Sequence, residues 1–351
     1  MKTVSDNSTP LISFIIPAYN AAKTIARAVD SVKQLSVSKE ILVVENGSKD
    51  ETTALLEEMD GIRLFHSEKG VSKARNTGIR QAAGEWLFFL DADDQVLPEI
   101  EEAAETLQDQ DIWAGSYQKD DDLVRHTYEN TGIITGKALT DAMAWMIRKP
   151  TLRMQAWAKF YRTKFIQENQ ITFNEALHYA EDSEFVIRAL LKAKTLQISS
   201  IPVYRYKSDN PSAMRSYHPE RIQSYLNALK CAEADIEDVN EEIRYAFRDY
   251  VIAQVNLMAV HDIFGTDIQL TAKERKARMK DLLETDVIRH ALQTLRPKDL
   301  KDLHMVPSFL FQHGWIHTGG AVCRLRSRQN KQRYQKQFKA ASGQNKRKKG
   351  N

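Results

Sequence analysis

The stretch "WLFFLDADDQVLP", Trp86 to Pro98, runs five apolar residues straight into three carboxylates, Asp91, Asp93 and Asp94. Like charges this close repel, and repel more where water is scarce. In an extended chain Asp91 and Asp93 point to the same side. Two carboxylates on one side at the end of a buried strand suit a hard divalent cation, Mg2+ or Mn2+, that keeps positions open for a diphosphate. The competing reading is a solvated acidic turn that caps the helix after it.

Four more clusters carry polar chemistry. In "SFIIPAYNAAKTI", Tyr19 follows Pro17 and Ala18 and offers a stacking face for a base, while Asn20 can cap the next helix. Both residues also fit a plain turn. In "VVENGSKDET", Glu45 and Asn46 end an apolar run before Gly47. A carboxylate or amide there can hydrogen-bond a base edge or a ribose hydroxyl, or the segment is a turn capped by Ser48. "KGVSKARNTGI" opens a helix with several donors, among them Arg75. Helix N-termini attract phosphate and Arg binds it bidentately; a solvated basic face is the plainer alternative. "AEDSEF" puts Glu181 and Asp182 at a helix start, as a general base or as acids favoured by the helix macrodipole.

Short apolar runs alternating with helical patterns position these clusters. Strands are expected at 11–16, 40–44, 62–66, 86–90 and 111–117. Between them Ile25, Val29 and Val32 recur at helical spacing. "SKDE" reads as a capping box before "TTALLEEM", 70–84 as a helix closed by Gly84, and 98–107 as another helix. Strands apolar on both faces and separated by helices indicate an α/β fold with a mainly parallel sheet, which binds ligands at its carboxyl edge. A hairpin near 123–135, the aromatic segment "AWAKFY" (156–161), a helix over 181–193 and strands at "LQISS" and "VYRY" complete this region. Beyond residue 217 long helical patterns cover 219–235, 240–263 and 272–295. The expected division is 1–215, 216–330 and a basic, disordered tail over 331–351.

The 351 residues suffice for one large domain or two ordinary ones. Two distant cysteines, Cys231 and Cys323, argue against a disulfide framework and for a reducing cytoplasm. No signal peptide and no apolar run of membrane-spanning length is present. The net charge of +3 conceals an asymmetry: residues 324–351 hold eleven Lys or Arg and no acid, so the other 323 residues carry −8. The tail has only Tyr334 and Phe338 as aromatics, too few for a nucleic-acid surface.

In order and spacing, "SFIIPAYNAAKTIARAVDSV", "EILVVENGSKDETTALL", "GVSKARNTGIRQAAGEWLFFLDADDQVLP", "WAKFYRTKFI" and "AEDSEF" resemble family 2 glycosyltransferases of the GT-A fold. The likeness spans roughly residues 11–215. It implies an inverting transfer from a nucleoside diphosphate sugar, usually a UDP-sugar, with Mn2+ or Mg2+. By resemblance, Asp93 ligates the metal and Asp91 assists it while facing the ribose or sugar. Pro17, Ala18 and Tyr19 form the base-stacking turn, and Arg75 lies near the nucleotide. Asp182, with Glu181 beside it, is the catalytic base, and Trp157 and Lys159 line the acceptor side. Where the family often has two acids after its second strand, this chain has Glu45 and Asn46, which leaves uracil and thymine both open.

The implied acceptor is a saccharide or polyprenyl-linked saccharide in bacterial surface-polysaccharide synthesis. The apolar-to-basic segment 308–338 then suggests peripheral contact with an anionic inner membrane surface, against a packed final helix with a solvated tail. The alternative function is an inactive nucleotide-sugar-binding scaffold, which the presence of Asp91, Asp93 and Asp182 opposes. A nucleotidyltransferase is expected to carry a Gly-rich basic signature where this chain has "PAYNAAK".

Overall fold

A computed structural model describes residues 9–208, 220–236 and 238–348, with side chains as far as 332. The chain forms two compact units: Met1–Met143 with Met154–Ser208, and Ala144–Arg153 with Asp209–Asn351. The boundary expected near 215 lies outside the described residues.

The first unit is built on ten strands: β1 (Ile12–Ala18), β2 (Lys39–Glu45), β3 (Arg63–His66), β4 (Trp86–Phe89), β5 (Gln95–Val96), β6 (Ile112–Lys119), β7 (Asp122–Val124), β8 (Ile133–Ile134), β9 (Lys159–Arg162) and β10 (Leu196–Tyr206). Their order is β3-β2-β1-β4-β9-β6-β10-β5, with β7 on β6 and β8 on β10. The pairs β2–β3, β1–β2, β1–β4 and β6–β10 are parallel. Only β9, antiparallel to both β4 and β6, interrupts the parallel set between β3 and β10. The α/β class and the mainly parallel sheet therefore hold, in a mixed version.

The helices are α1 (Ile25–Lys33), α2 (Thr52–Glu57), α3 (Val71–Gln81), α4 (Ile100–Glu105), α5 (Gly136–Ile147), α6 (Pro150–Arg153), α7 (Thr163–Glu168) and α8 (Glu181–Lys192). Ile25, Val29 and Val32 of α1 are fully buried in one cluster with Phe14, Phe88 and Phe160 of the sheet. α3 lies against β1 and β2. A Cβ on Gly78 would stand 2.3 Å from Ile15 Cγ2, so that approach requires glycine.

Several local expectations change. β1 continues through Pro17 to Ala18. Its ladder to β4 ends at Ile15–Phe89, so the missing Pro17 N–H costs no bond on that side. The 123–135 segment is not a hairpin: β7 turns back on β6, and β8 pairs with β10. The "SKDE" capping box does not form, because Ser48 Oγ accepts from Asn20 N and its own amide donates to Glu45. Nor does Asn20 cap α1; its Oδ1 accepts from Lys49 N at 2.8 Å, tying the two loops after β1 and β2 together. "LQISS" and "VYRY" fuse into the single bulged strand β10.

The second unit is helical: α9 (Arg221–Asp235), α10 (Glu241–Met258) continued by a π turn over Ala259–Ile263, α11 (Ala272–Leu283), α12 (Asp286–Gln293), α13 (Val306–Gln312) and α14 (Ile316–Lys348). The pattern over 272–295 is two helices rather than one. α11 starts with a capping box formed by Thr271 and Glu274. Inside the unit Arg221 and Asp262 form a fully buried ion pair. α14 takes in residues 331–348, where a disordered tail is expected; that segment is rich in Lys, Arg, Gln and Ala and lacks proline, which favours helix over coil once a turn has nucleated. Among the described residues no helix is long and apolar enough to cross a membrane.

Candidate active site

The carboxyl ends of β1, β2 and β4 and the first turns of α3 and α8 bring together most of the residues singled out from sequence. Arg75, on the second turn of α3, is the hub. Its side chain is 4% exposed. Nη1 donates to Asp182 Oδ1 at 2.6 Å and to Glu181 Oε1 at 3.3 Å, and Nη2 donates to Asp91 Oδ1 at 3.0 Å. The guanidinium also lies over the Phe173 ring, 5.1 Å from its centroid. One buried cation thus holds three acids from positions 91, 181 and 182.

The acids respond to burial and to each other. Burial, then the Asp182 charge, pushes Glu181 up to about 7. Burial raises Asp91 to about 6, against the pull of Arg75, with Asp182 and Asp93 adding to the rise. Burial, with Asp91 and Asp93, raises Asp94 to about 8. The three residues of "DADD" are therefore not equivalent. Asp91 and Asp93 are partly exposed, and Asp93 lends its carbonyl to Arg27. Asp94 is buried, and both of its carboxylate oxygens are engaged by β10 and the residue after it.

α8 begins at Ala180, whose φ of 62° lies in the left-handed region. Ala158, in the segment before β9, has a φ of 57°. An alanine held there costs on the order of 1–2 kcal/mol and persists only where surroundings impose it. Both strained alanines flank site residues: Ala180 precedes Glu181, and Ala158 lies between Trp157 and Lys159.

At the other end of the edge, Glu45 accepts from Ser48 N and approaches His66 Nδ1 at 3.4 Å. Tyr19 is partly exposed, with the Lys69 ammonium 5.1 Å from its ring centre. Asn46 is buried, and its Oδ1 has no partner. Ser72 Oγ and Arg75 Nε, on one side of α3, are likewise buried without partners. Buried polar atoms left unpaired are rare. Three of them fall here, one just after β2 and two on α3.

Trp157 and Lys159, expected on the acceptor side, are both buried. Lys159 Nζ donates to Gln155 O at 2.6 Å, and burial lowers its pKa to about 7. Trp157 packs in the core against Tyr117 and Tyr204. Lys159 thus ties the 155–158 segment to the start of β9, and the Trp157 ring anchors it in the core. Asn76, next to Arg75, is tied to Phe173 and Glu175 and lines a hollow of about 390 Å3 with Asn174, Glu184 and Arg188. Among the described residues no group of three His, Cys, Asp or Glu is arranged to hold a metal ion. Sequence reasoning missed Ser72, an uncharged member of "KGVSKARNTGI", and Phe173 and Tyr204, which lie outside the motifs singled out.

A mainly parallel α/β sheet with carboxylates and a buried guanidinium gathered at its carboxyl edge has the architecture of the GT-A fold. Residues 13–179 match the profile "Glycosyl transferase family 2" and form a domain of that family. It is 27% identical to the uncharacterized glycosyltransferase EpsJ of Bacillus subtilis over 311 residues, 81% of this chain and 86% of that one. It is 24% identical to the poly(ribitol-phosphate) beta-N-acetylglucosaminyltransferase TarS of Staphylococcus aureus over 258 residues, 69% of this chain and 43% of that one. The crystal structure of S. aureus TarS 1–349 in complex with UDP-GlcNAc superposes with a TM-score of 0.61 at 20% identity, covering 91% of this chain and 92% of that one.

Proposed function

We propose that the site moves a sugar from a UDP-sugar to a hydroxyl of a saccharide or lipid-linked acceptor, with inversion, in surface-polysaccharide synthesis. The observation that carries this reading is the Arg75 hub, which sets Asp91 of the donor edge and Asp182 of α8 on one guanidinium. The unpaired Asn46 Oδ1 supports a base with an N–H to donate, as uracil and thymine have at N3. UDP-GlcNAc in the related TarS structure favours uracil.

Asp182 takes the proton of the acceptor hydroxyl as that oxygen bonds to the anomeric carbon. The bond from that carbon to the diphosphate oxygen breaks, and its electron pair leaves with the nucleoside diphosphate. One displacement needs one base and no enzyme nucleophile. Arg75 orients Asp182 by donating to Oδ1, and Ala156 N donates to its other oxygen at 3.4 Å. Glu181, near neutral in its titration, is the second candidate for the proton. The polar hollow beside α8 supports an acceptor rich in hydroxyls.

The residues present fit a divalent cation. Asp91 and Asp93 are hard oxygen donors, partly exposed at the carboxyl end of β4; burial raises Asp91 and Asp94, and the charges of the neighbouring acids add to the rise, a repulsion that a bound cation would relieve. Magnesium-type sites take one or two carboxylates and fill the rest with phosphate and water, so two suffice. When bound there, Mn2+ or Mg2+ neutralises charge on the departing diphosphate. Peripheral attachment to an anionic membrane through the second unit completes the proposal.

A panel of UDP-, dTDP-, CDP- and GDP-sugars, with and without Mn2+, tests the reading by calorimetry and nucleotide release. UDP-sugars should bind most tightly. Asp182→Asn should keep donor affinity and lose transfer by roughly 10²–10⁴-fold, the usual worth of a general base. Failure of every sugar nucleotide to bind overturns the donor assignment, and full transfer by Asp182→Asn passes the base role to Glu181.

A further inference from the structure

Asp94 is the acid that neither the metal nor the base accounts for. Its Oδ2 accepts from the Tyr204 hydroxyl at 2.6 Å and its Oδ1 from Lys207 N at 2.7 Å. The Tyr204 oxygen in turn accepts the amide N–H of Asp91 at 3.2 Å. The Tyr204 ring lies flat on Trp157, with centroids 4.4 Å apart and planes 9° apart. Just before Trp157, Ala156 offers its N–H to Asp182 and has its carbonyl held by Tyr161 Oη at 3.0 Å. Tyr204 therefore touches the carboxylate loop with its hydroxyl and the segment facing the base with its ring. It is completely buried and meets no substrate.

We propose that Tyr204, oriented by Asp94, is a positioning residue that sets the Asp91–Asp93 loop against the segment carrying the amide partner of Asp182. The hydroxyl is fitted to this because it donates and accepts at once. Lys207 N occupies Oδ1 of Asp94 and the Tyr204 hydroxyl donates to Oδ2, so Asp94 fixes the direction of the Tyr204 proton and leaves an oxygen lone pair for Asp91 N–H. The chain Asp94, Tyr204, Asp91 then ends on Arg75, which also holds Asp182. A phenylalanine keeps the stack on Trp157 and breaks the chain. The proposal rests on the UDP-sugar reading above, because it assigns the loop a diphosphate to meet.

Calorimetry on the full chain with Mn2+ compares UDP with uridine for wild type, Tyr204→Phe, Asp94→Asn and the double variant. Uridine lacks the phosphates, so it reports the base end of the site alone. Each single variant should bind UDP about tenfold more weakly, the worth of a lost hydrogen bond to a charged group, with uridine affinity unchanged. The double variant should lose no more than either single one, because both break the same chain. Asp94→Asn keeps an acceptor for Lys207 and serves where Tyr204→Phe does not fold. Unchanged UDP affinity with a lowered melting temperature, equal losses for UDP and uridine, or additive losses in the double variant would each overturn the positioning role. Failure of wild type to bind UDP would instead overturn the donor reading.

Discussion

Glu181 and Asp182 are neighbours in sequence and share the Arg75 guanidinium, yet Arg75 Nη1 lies 2.6 Å from Asp182 and 3.3 Å from Glu181. The more weakly held acid, Glu181, carries the raised pKa. Its rise from 4.5 to about 7 means the folded chain keeps a proton that the unfolded chain releases. The native state binds more protons across that window, so this group's contribution to stability falls as pH climbs from about 4.5 to about 7 and is level above it. After burial, the Asp182 charge contributes most to that rise. Asp182→Asn should therefore lower the Glu181 midpoint, read from the side-chain carboxyl 13C shift against pH. A midpoint that stays near 7 would mean burial alone sets it. At this scale Arg75, Asp91, Asp182 and Glu181 were legible because each lies in a short charged motif. The pairing of Tyr204 with Asp94 was not: 110 positions separate them, and nothing local in "VYRY" marks a hydroxyl that reaches back to "DADD".

At the scale of elements, the turn between α3 and β4 shows how tightly the edge strands are set. Gly84 N donates to Ser13 Oγ at 2.8 Å, and its carbonyl accepts from Thr163 Oγ1 at 2.6 Å. A Cβ there would stand 2.7 Å from Ser13 N and 2.9 Å from Ile12 C, which are backbone atoms that cannot swing away. Gly84→Ala should cost about 1–3 kcal/mol, in the range of overpacking, seen as a lower urea midpoint at unchanged slope. An unchanged midpoint would show that the turn yields. The glycine reads in the sequence as a helix stop, but α3 ends at Gln81 and Gly84 serves the turn instead. Periodicity found the strands and helices that bury a face, because apolar spacing is what burial selects. It misread the 123–135 segment and the split at 284–285, where pairing partners and helix ends are chosen by distant contacts rather than by spacing.

Across the whole molecule, charge is divided by position: the chain up to residue 323 is acidic, and every one of the eleven charges after it is positive. In the second unit Trp315, just before α14, and Leu325, on it, are 57% and 56% exposed, and the basic Arg324 and Arg328 of α14 are exposed as well. Large apolar side chains standing out of a basic helix suit the boundary of an anionic bilayer, where each nearby Lys or Arg contributes about 1 kcal/mol. Arg326, Ser327 and Lys331 also tie α14 to Leu303, Thr266 and Asp267, so a cut at 324 would damage the fold. Deleting 332–351 spares those contacts and removes seven of the eleven bases. The full chain should sediment with vesicles containing anionic lipid at low salt and not with neutral ones. Binding should vanish in about 1 M salt, where screening acts within roughly 3 Å. The shortened chain should lose most of its binding while keeping its melting temperature, and Trp315→Ser should weaken binding without changing its salt dependence. If the shortened chain sediments as fully as the intact one, the basic segment does not hold the protein to the bilayer, and the charge asymmetry serves solubility alone.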